Sequence, residues 1–360
     1  MSDKINLKGV RLIASYLPQF HPTKENNEWW GPGFTEWTNV GKAIPLFKDH
    51  YQPRVPADLG YYDLRLPIIR KQQADLAREY GIEGFCYWHY WFGNGKRILE
   101  TVFNEIVASG EPDFPFCLGW ANETWSGVWH GAKNRILLEQ TYPGKDDYKA
   151  HFYEVLPSFQ DKRYIRVDNK PLFMVYKPEL LPNPKEFIDY WNELAISNGL
   201  EGIYFIAQTL DSAKFQNMID MGFDAVNVVR LYDYHRLKVG IVKKGLGRIF
   251  GNLNVYNYKE ASKLFSSEED RKENCIPTII PNWDHSPRSG KRAYILHEST
   301  PELFREHVKE VFDTVKDKRD ECKIVFVKSW NEWGEGNYLE PDLKFGKQYL
   351  EVLKTELDQL

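Results

Sequence analysis

The chain is poor in cysteine, and its four cysteines follow no metal-binding spacing. Cys86, Cys117, Cys275 and Cys322 include no CxxC pair, which argues against a zinc ribbon or a thioredoxin-like redox site. Each lies within or beside a strand-like segment, where cysteine behaves as a small buried hydrophobe. We therefore expect reduced core residues.

Long hydrophobic runs are also missing. No segment approaches the length of a transmembrane span, and residues 1–9 lack the apolar stretch of a signal peptide. We therefore expect a cytoplasmic enzyme with no transmembrane segment. The formal net charge of −4 excludes a basic footprint spread over the whole surface, and with it a nucleic-acid partner.

Signals for a metal or a cofactor are weak. The nine histidines show neither HxH nor HExxH spacing, and the acidic residues form no calcium loop. The segment Gly93-Asn94-Gly95-Lys96 stands alone and does not make a phosphate-binding loop. We predict no metal site and no cofactor.

Aromatic residues are abundant: 12 Trp, 21 Tyr and 21 Phe make up 15% of the chain. Many of the tryptophans stand next to His, Asn or Glu. Carbohydrate sites have this character, because the C–H faces of sugars pack on rings while the hydroxyl groups need polar partners. A rich aromatic core would account for the same composition.

Short apolar runs alternate with segments of helical spacing along the whole chain, which is typical of β/α units. The predicted strands are 11–17, 84–88, 116–120, 172–176, 203–207, 225–229, 278–280 and 324–328. The predicted helices are 66–80, 148–159, 185–198, 212–221 and 301–318. Eight such units predict a (β/α)₈ TIM barrel with long loops at the C-terminal face, formed by a single catalytic domain over residues 1–360.

Polar and aromatic residues follow nearly every predicted strand, at the end where a barrel enzyme builds its active site. The clearest case is the last one, in which Glu332 and Glu335 stand three residues apart directly after a buried strand. Cleavage of a glycosidic bond needs one carboxyl group as acid and a second as base or nucleophile. We predict that this pair is catalytic, although an ion pair within the loop or a capping contact would also explain it.

Other candidates for sugar binding come from the same strand ends and from the first long loop. They are Gln19, His21, Glu36, Trp37, His89, Tyr90, Trp120, Asn122, Glu123, Trp125, Tyr176, Asn282, Trp283, Asp284, Trp330, Asn331 and Trp333. Two alternatives stay open. Asn122 and Glu123 could make structural hydrogen bonds, and a histidine among aromatic residues, such as His89, is as often a satisfied core residue as a ligand.

Three long connections interrupt the barrel pattern, at residues 23–62, 93–115 and about 233–274. The first contains too many aromatic residues for disorder and is predicted to pack over the barrel mouth. The third is locally basic, with Arg236, Lys238, Lys243, Lys244, Arg248 and Lys259 against few acids. It could be a solvated helical excursion, or a lid or peripheral contact for an anionic glycan or a lipid-linked saccharide.

Several of these segments resemble the WbsX-like family, whose members are often labelled glycosyltransferases because their genes lie in surface-polysaccharide clusters. The matching motifs are Tyr16–Pro22, Glu28–Gly31, Gly33–Val40, Tyr87–Phe92 and Trp120–Trp125. The segment Trp330–Pro341 is similar to the catalytic segment of glycoside hydrolase family 99, which consists of endo-acting, retaining α-mannoside hydrolases on a (β/α)₈ barrel.

The resemblance to family 99 implies a role for each glutamate. Glu332 would act as a base on the 2-hydroxyl group of the sugar and generate an anhydro-sugar intermediate, and Glu335 would act as acid and then as base. Family 99 usually has His where this chain has Gly334. That difference removes a polar group, so the mannose preference does not follow.

The leading interpretation is an endo-acting, retaining glycoside hydrolase that acts on a bacterial polysaccharide or oligosaccharide. The first alternative is a glycosyltransferase of O-antigen or capsule synthesis, but the paired Rossmann arrangement usual for enzymes that use nucleotide sugars is not apparent in the sequence. The second is a barrel that binds glycans without catalysis.

Overall fold

The structure is a computed structural model that describes residues 9–127, 135–238 and 253–360. Eight parallel strands form its centre: β1 Arg11–Tyr16, β2 Ile82–His89, β3 Phe116–Trp120, β4 Lys170–Val175, β5 Tyr204–Thr209, β6 Ala225–Val228, β7 Cys275–Ile279 and β8 Ile324–Val327. Each strand pairs with the next along the chain, and β8 pairs with β1. The predicted TIM barrel is therefore confirmed.

Helices pack around the strands and in the loops. They are α1 Lys24–Trp30, α2 Glu36–Gly41, α3 Pro67–Glu79, α4 Glu100–Ser109, α5 Lys145–Phe159, α6 Pro184–Ser197, α7 Phe215–Asp220, α8 Asp233–Lys238, α9 Tyr258–Ser262, α10 Ser286–Ser289, α11 Pro301–Val315 and α12 Gln348–Leu357. The residues at the start of α11 show why the helix begins there. Thr300 accepts a hydrogen bond from the Leu303 amide, and Pro301 follows in the first turn.

The barrel strands are buried almost throughout, because helices cover the outside and side chains fill the inside. The four cysteines are free and buried, as expected. Trp330 is fully buried and its ring centroid lies 5.2 Å from that of Phe85 on β2. Both rings belong to the main hydrophobic core of the barrel.

The first long connection carries α1 and α2 and joins β1 to α3. Of the basic connection at about 233–274, the structure describes α8, the short strand Asn254–Asn257 and α9, whereas Lys243, Lys244 and Arg248 lie outside the described residues. Its assignment as an insertion in a single domain stays a prediction. Within the described ranges, no helix has the length and apolar character needed to cross a membrane.

Candidate active site

A cavity of about 150 Å³ opens at the C-terminal ends of the strands. The loops after β1, β2, β3, β4, β7 and β8 all contribute to its wall. The lining residues are Leu17, Gln19, Trp30, Glu36, Trp88, Tyr90, Ala121, Glu123, Trp125, Ser126, Leu137, Tyr176, Arg288, Lys328, Glu332 and Glu335. Both predicted catalytic glutamates therefore face the same space as several aromatic rings.

The loop after β8 is held in a defined shape. The segment Asn331–Glu332 pairs antiparallel with Asn337–Tyr338, which closes a tight hairpin around Glu335. The Asn331 side chain accepts a hydrogen bond from the Leu17 amide at 2.8 Å and donates one to the Leu17 carbonyl at 3.0 Å. These contacts join the loop to the end of β1 and fix the position of Glu332.

Arg288, from α10, binds three carboxylates in the floor of the cavity. Its Nη2 lies 3.0 Å from Glu332 Oε2, and its Nη1 lies 2.7 Å from Glu335 Oε1. Its Nε donates to Glu36 Oε2 at 2.9 Å, and its Nη2 is 2.8 Å from the same oxygen. Burial opposes the charge, but the three carboxylates outweigh it and raise the pKa of the Arg288 guanidinium well above its usual value.

The environment of Glu332 favours its protonated form. Burial is the main cause and the charge of Glu335 is the second, and together they outweigh Arg288 and Lys328 and raise the pKa of Glu332 to about 7. The Lys328 ammonium lies 3.8 Å from Glu335 Oε2. Glu335 thus faces two cations, Arg288 and Lys328.

Aromatic rings and one further carboxylate form the upper wall. Trp125 meets Tyr90 edge to face with ring centroids 5.2 Å apart, and Trp88 meets Tyr176 in the same way at 5.4 Å. Burial, assisted by the charge of Glu335 and opposed by Lys177, raises the pKa of Glu123. The wall therefore offers flat apolar faces beside a polar group, as sugar binding requires.

The structure brings together eight of the residues predicted for the site: Gln19, Glu36, Tyr90, Glu123, Trp125, Tyr176, Glu332 and Glu335 line the cavity. The other predicted residues are not among those lining it, namely His21, Trp37, His89, Trp120, Asn122, Asn282, Trp283, Asp284, Trp330, Asn331 and Trp333. Their contacts place several of them behind the wall.

Asn122 and His89 make internal contacts. Asn122 accepts a hydrogen bond from the Lys177 amide at 2.7 Å and donates to the Lys177 carbonyl at 2.8 Å, which links the ends of β3 and β4. The His89 Nε2 atom lies 2.7 Å from Nε2 of His151 on α5. Burial lowers the pKa of both histidines well below the usual value, so this pair is neutral.

Asp284 follows β7, but its carboxylate turns toward the first long loop. It accepts hydrogen bonds from His50 at 2.9 Å and Gln52 at 2.6 Å. Burial opposes the charge of Asp284, but the hydrogen bond from His50 and the charge of Arg54 outweigh it and lower the pKa of Asp284 to about 2. Asp284 therefore fastens two loops together outside the cavity.

The sequence analysis missed Arg288, Lys328, Trp30 and Trp88, all of which line the cavity. Two signals were available. Arg288 lies only four residues beyond Asp284 in the loop after β7, and Lys328 is a charged residue at the end of an otherwise apolar strand. Among the described residues, no group of three or more His, Cys, Asp or Glu side chains could hold a metal ion.

Comparison with known proteins gives a family and a fold. The family model described as "Glycosyltransferase WbsX" matches residues 12–353. Two proteins from Xanthomonas campestris pv. campestris, strains B100 and ATCC 33913, are both described as "Uncharacterized protein WxcX". Each is 36% identical over 348 residues, which is 96% of this chain and 49% of the relative. The chain thus spans about half the length of the curated relatives it matches.

Solved structures with the same architecture include the GH99 endo-alpha-mannosidase from Bacteroides thetaiotaomicron, with a TM-score of 0.59, 14% identity and 97% coverage of both chains. A structure described as a glycoside hydrolase-like protein gives a TM-score of 0.61 at 15% identity, covering 97% of this chain and 94% of the other. At this level of identity the likeness shows a common fold.

Proposed function

We propose that this chain, which belongs to the Glycosyltransferase WbsX family, is an endo-acting, retaining glycoside hydrolase that acts on a bacterial polysaccharide or oligosaccharide. The observation that carries the proposal is the pair Glu332 and Glu335, which stand on one loop and line one aromatic cavity, with Glu332 buried and Glu335 half-buried. Cleavage of a glycosidic bond uses two carboxyl groups, and flat aromatic rings beside them can bind the sugar.

The retaining mode follows the resemblance to family 99, and the two glutamates of the pair meet at one cation. The two carboxylates bind the two terminal nitrogens of one guanidinium, Arg288 Nη2 and Nη1, at 3.0 and 2.7 Å. Carboxyl groups that share one guanidinium are close neighbours. Retaining enzymes place their carboxyl groups about 5 to 5.5 Å apart, whereas inverting enzymes need roughly 6.5 to 9.5 Å to admit a water molecule, so the anomeric configuration of the first product tests the retaining mode.

The charges around Glu332 and Glu335 indicate which of them donates the proton and which acts as nucleophile or base. About half of Glu332 carries its proton at pH 7 because its pKa is about 7, whereas Glu335 faces the cations Arg288 and Lys328. A carboxyl group whose pKa lies near the working pH is suited to donate a proton, and a carboxyl group that faces two cations is suited to attack or accept. We therefore assign the proton donor to Glu332, which reverses the order that the resemblance to family 99 implies.

The solved barrels described as endo-alpha-mannosidases support the endo mode for this chain. They do not identify its sugar. Gly334 stands where family 99 usually has His, and the space beside Gly334 is filled by Glu36 and Arg288. The floor of the cavity is therefore built from different side chains.

The family description supports one rival, a glycosyltransferase that extends a surface polysaccharide, either from an activated donor or by transfer between chains. A transferase that works by transglycosylation would use the same Glu pair, with an acceptor hydroxyl in place of water. A barrel that only binds glycans would keep its affinity when either glutamate is replaced.

Product analysis separates these functions. Wild type, Glu332→Gln and Glu335→Gln are incubated with a panel of bacterial surface polysaccharides that includes the source organism's own glycan. Shortened oligosaccharides from wild type, lost in both variants and kept in an Arg292→Gln control on the exposed surface, would support hydrolysis. Extension of an acceptor with consumption of a nucleotide sugar, and no cleavage, would refute the hydrolase proposal.

A further inference from the structure

The backbone at Gly334 lies against an ion pair. A Cβ atom added at this position would overlap Glu36 Oε2 and would lie 3.0 Å from Arg288 Nε. Gly334 stands between the two glutamates of the loop, so any side chain here would push Glu36 or Arg288 away from the catalytic carboxylates. Glycine is therefore required at position 334 because a side chain would not fit there.

Glu36 is held so that it points at the guanidinium. It lies at the start of α2, is 1% exposed, and accepts a hydrogen bond from Asn39 Nδ2 on its Oε1 at 2.8 Å. Its Oε2 receives Arg288 Nε at 2.9 Å and lies 2.8 Å from Arg288 Nη2. Both carboxylate oxygens of Glu36 are therefore committed.

Glu36, Glu332 and Glu335 bind different parts of the planar guanidinium of Arg288. Glu36 takes the edge formed by Nε and Nη2. Glu332 binds Nη2 and Glu335 binds Nη1. An arginine held on one edge by a fixed carboxylate cannot rotate to bind either catalytic glutamate with two parallel hydrogen bonds.

We propose that Glu36, Arg288 and Gly334 form a positioning clamp, in which Glu36 holds Arg288 between the two catalytic glutamates and the absent side chain at 334 makes room for it. This inference rests on the proposed function for the catalytic role of the pair. Glu36 and Arg288 are positioning residues, because they act on the reaction through Glu332 and Glu335.

Charged and titratable groups face Glu332 from several elements, and the clamp is one part of that field. They are Glu335 and Lys328 from the β8 loop, Arg288 from α10, Glu36 from α2, Tyr90 after β2 and Tyr176 after β4. Loss of the Glu36 charge removes one negative neighbour and frees one edge of Arg288. Both changes stabilise ionised Glu332.

The test is nuclear magnetic resonance of the full chain without substrate. The variants are Glu36→Gln, which keeps the shape of the side chain, and Gly334→Ala, with Arg292→Gln as an exposed control. Hydrogen exchange is measured at Arg288 Nε, assigned with an Arg288→Lys variant, and the Glu332 carboxyl is titrated and assigned with Glu332→Gln.

We expect both clamp variants to speed exchange at Arg288 Nε by about tenfold or more, and Glu36→Gln to lower the pKa of Glu332, whereas the control changes neither. Unchanged exchange in Glu36→Gln would overturn the clamp even if Gly334→Ala does not fold. These readouts need no turnover, so they stand apart from a failure of the hydrolase proposal.

Kinetics complete the test on any polymer that the wild type cleaves. Glu36→Gln should lower kcat by about tenfold or more with a smaller change in KM, because a misplaced catalytic pair loses rate before it loses affinity. Exchange that speeds up while kcat stays at the wild-type value would overturn the positioning role.

Discussion

The pH dependence of kcat/KM follows directly from the charges around Glu332. Burial, and then the neighbouring charge of Glu335, raise the pKa of Glu332 from 4.5 to about 7. A carboxyl group that donates a proton to the leaving oxygen must be protonated in the free enzyme. We therefore predict that kcat/KM is lost on the alkaline side of pH 7 and that this limb belongs to Glu332.

The size of the effect can be worked out from the shift. A rise from 4.5 to about 7 corresponds to about 3 kcal/mol in favour of the protonated form. About half of the enzyme then carries the proton at pH 7, and about 1% carries it at pH 9. The ratio kcat/KM should fall roughly 100-fold between its plateau near pH 5 and pH 9.

The assay is the initial rate of reducing-end release from the cleaved polymer, measured from pH 5 to pH 9 at low substrate concentration. Lys328 lowers the pKa of Glu332, so Lys328→Met should move the alkaline limb to higher pH. Glu332→Gln should lose the limb together with about 100-fold to 10,000-fold of the rate. A rate that rises through pH 7 and then stays flat would refute the assignment and make Glu332 the base.

Three further predictions concern Glu340, Asn122 and Trp125. Buried Glu340 accepts three side-chain hydrogen bonds, yet burial raises its pKa to about 7. Its proton therefore stabilises the fold below about pH 4.5, and about 3 kcal/mol is lost as the pH rises to 7. Glu332 contributes a similar loss in both proteins, so urea unfolding at pH 4.5 and 8 should show a loss of stability about 3 kcal/mol smaller in Glu340→Gln than in wild type. An equal loss in the two proteins would contradict the prediction. Asn122→Ala should cost about 2 to 3 kcal/mol of stability with kcat/KM little changed, whereas Trp125→Ala should raise KM about tenfold at unchanged stability, and the reverse pattern would contradict both roles.

The barrel could be predicted because each strand and each helix has a recognisable pattern in its own local sequence. Each strand is a short apolar run that ends at turn or polar residues, and helices such as α3 and α11 carry apolar residues at helical spacing. The predicted strands and the observed ones differ at their ends by a few residues. The short hairpin between Trp125–Ser126 and Ile136–Leu138 was not predicted, because two-residue pairings leave no periodic signal.

The site could be predicted in part, since the fold places strand ends together but leaves the direction of each side chain open. Glu123 follows Asn122 directly, yet Glu123 lines the cavity while Asn122 binds the backbone of Lys177. Adjacent residues at a strand end face opposite sides. A list of residues after each strand therefore contains the cavity wall and its supports in nearly equal numbers.

The loop after β7 shows why the sequence does not separate residues that line the cavity from residues that support its wall. Asp284 and Arg288 are both charged and close in sequence, but Asp284 binds His50 and Gln52 from the first long loop, whereas Arg288 binds Glu36, Glu332 and Glu335. Each partner from the first long loop lies more than 200 positions away in the chain. The role of each charge is thus decided by which distant carboxylate or donor meets it, and the space beside Gly334 is filled by Glu36 and Arg288.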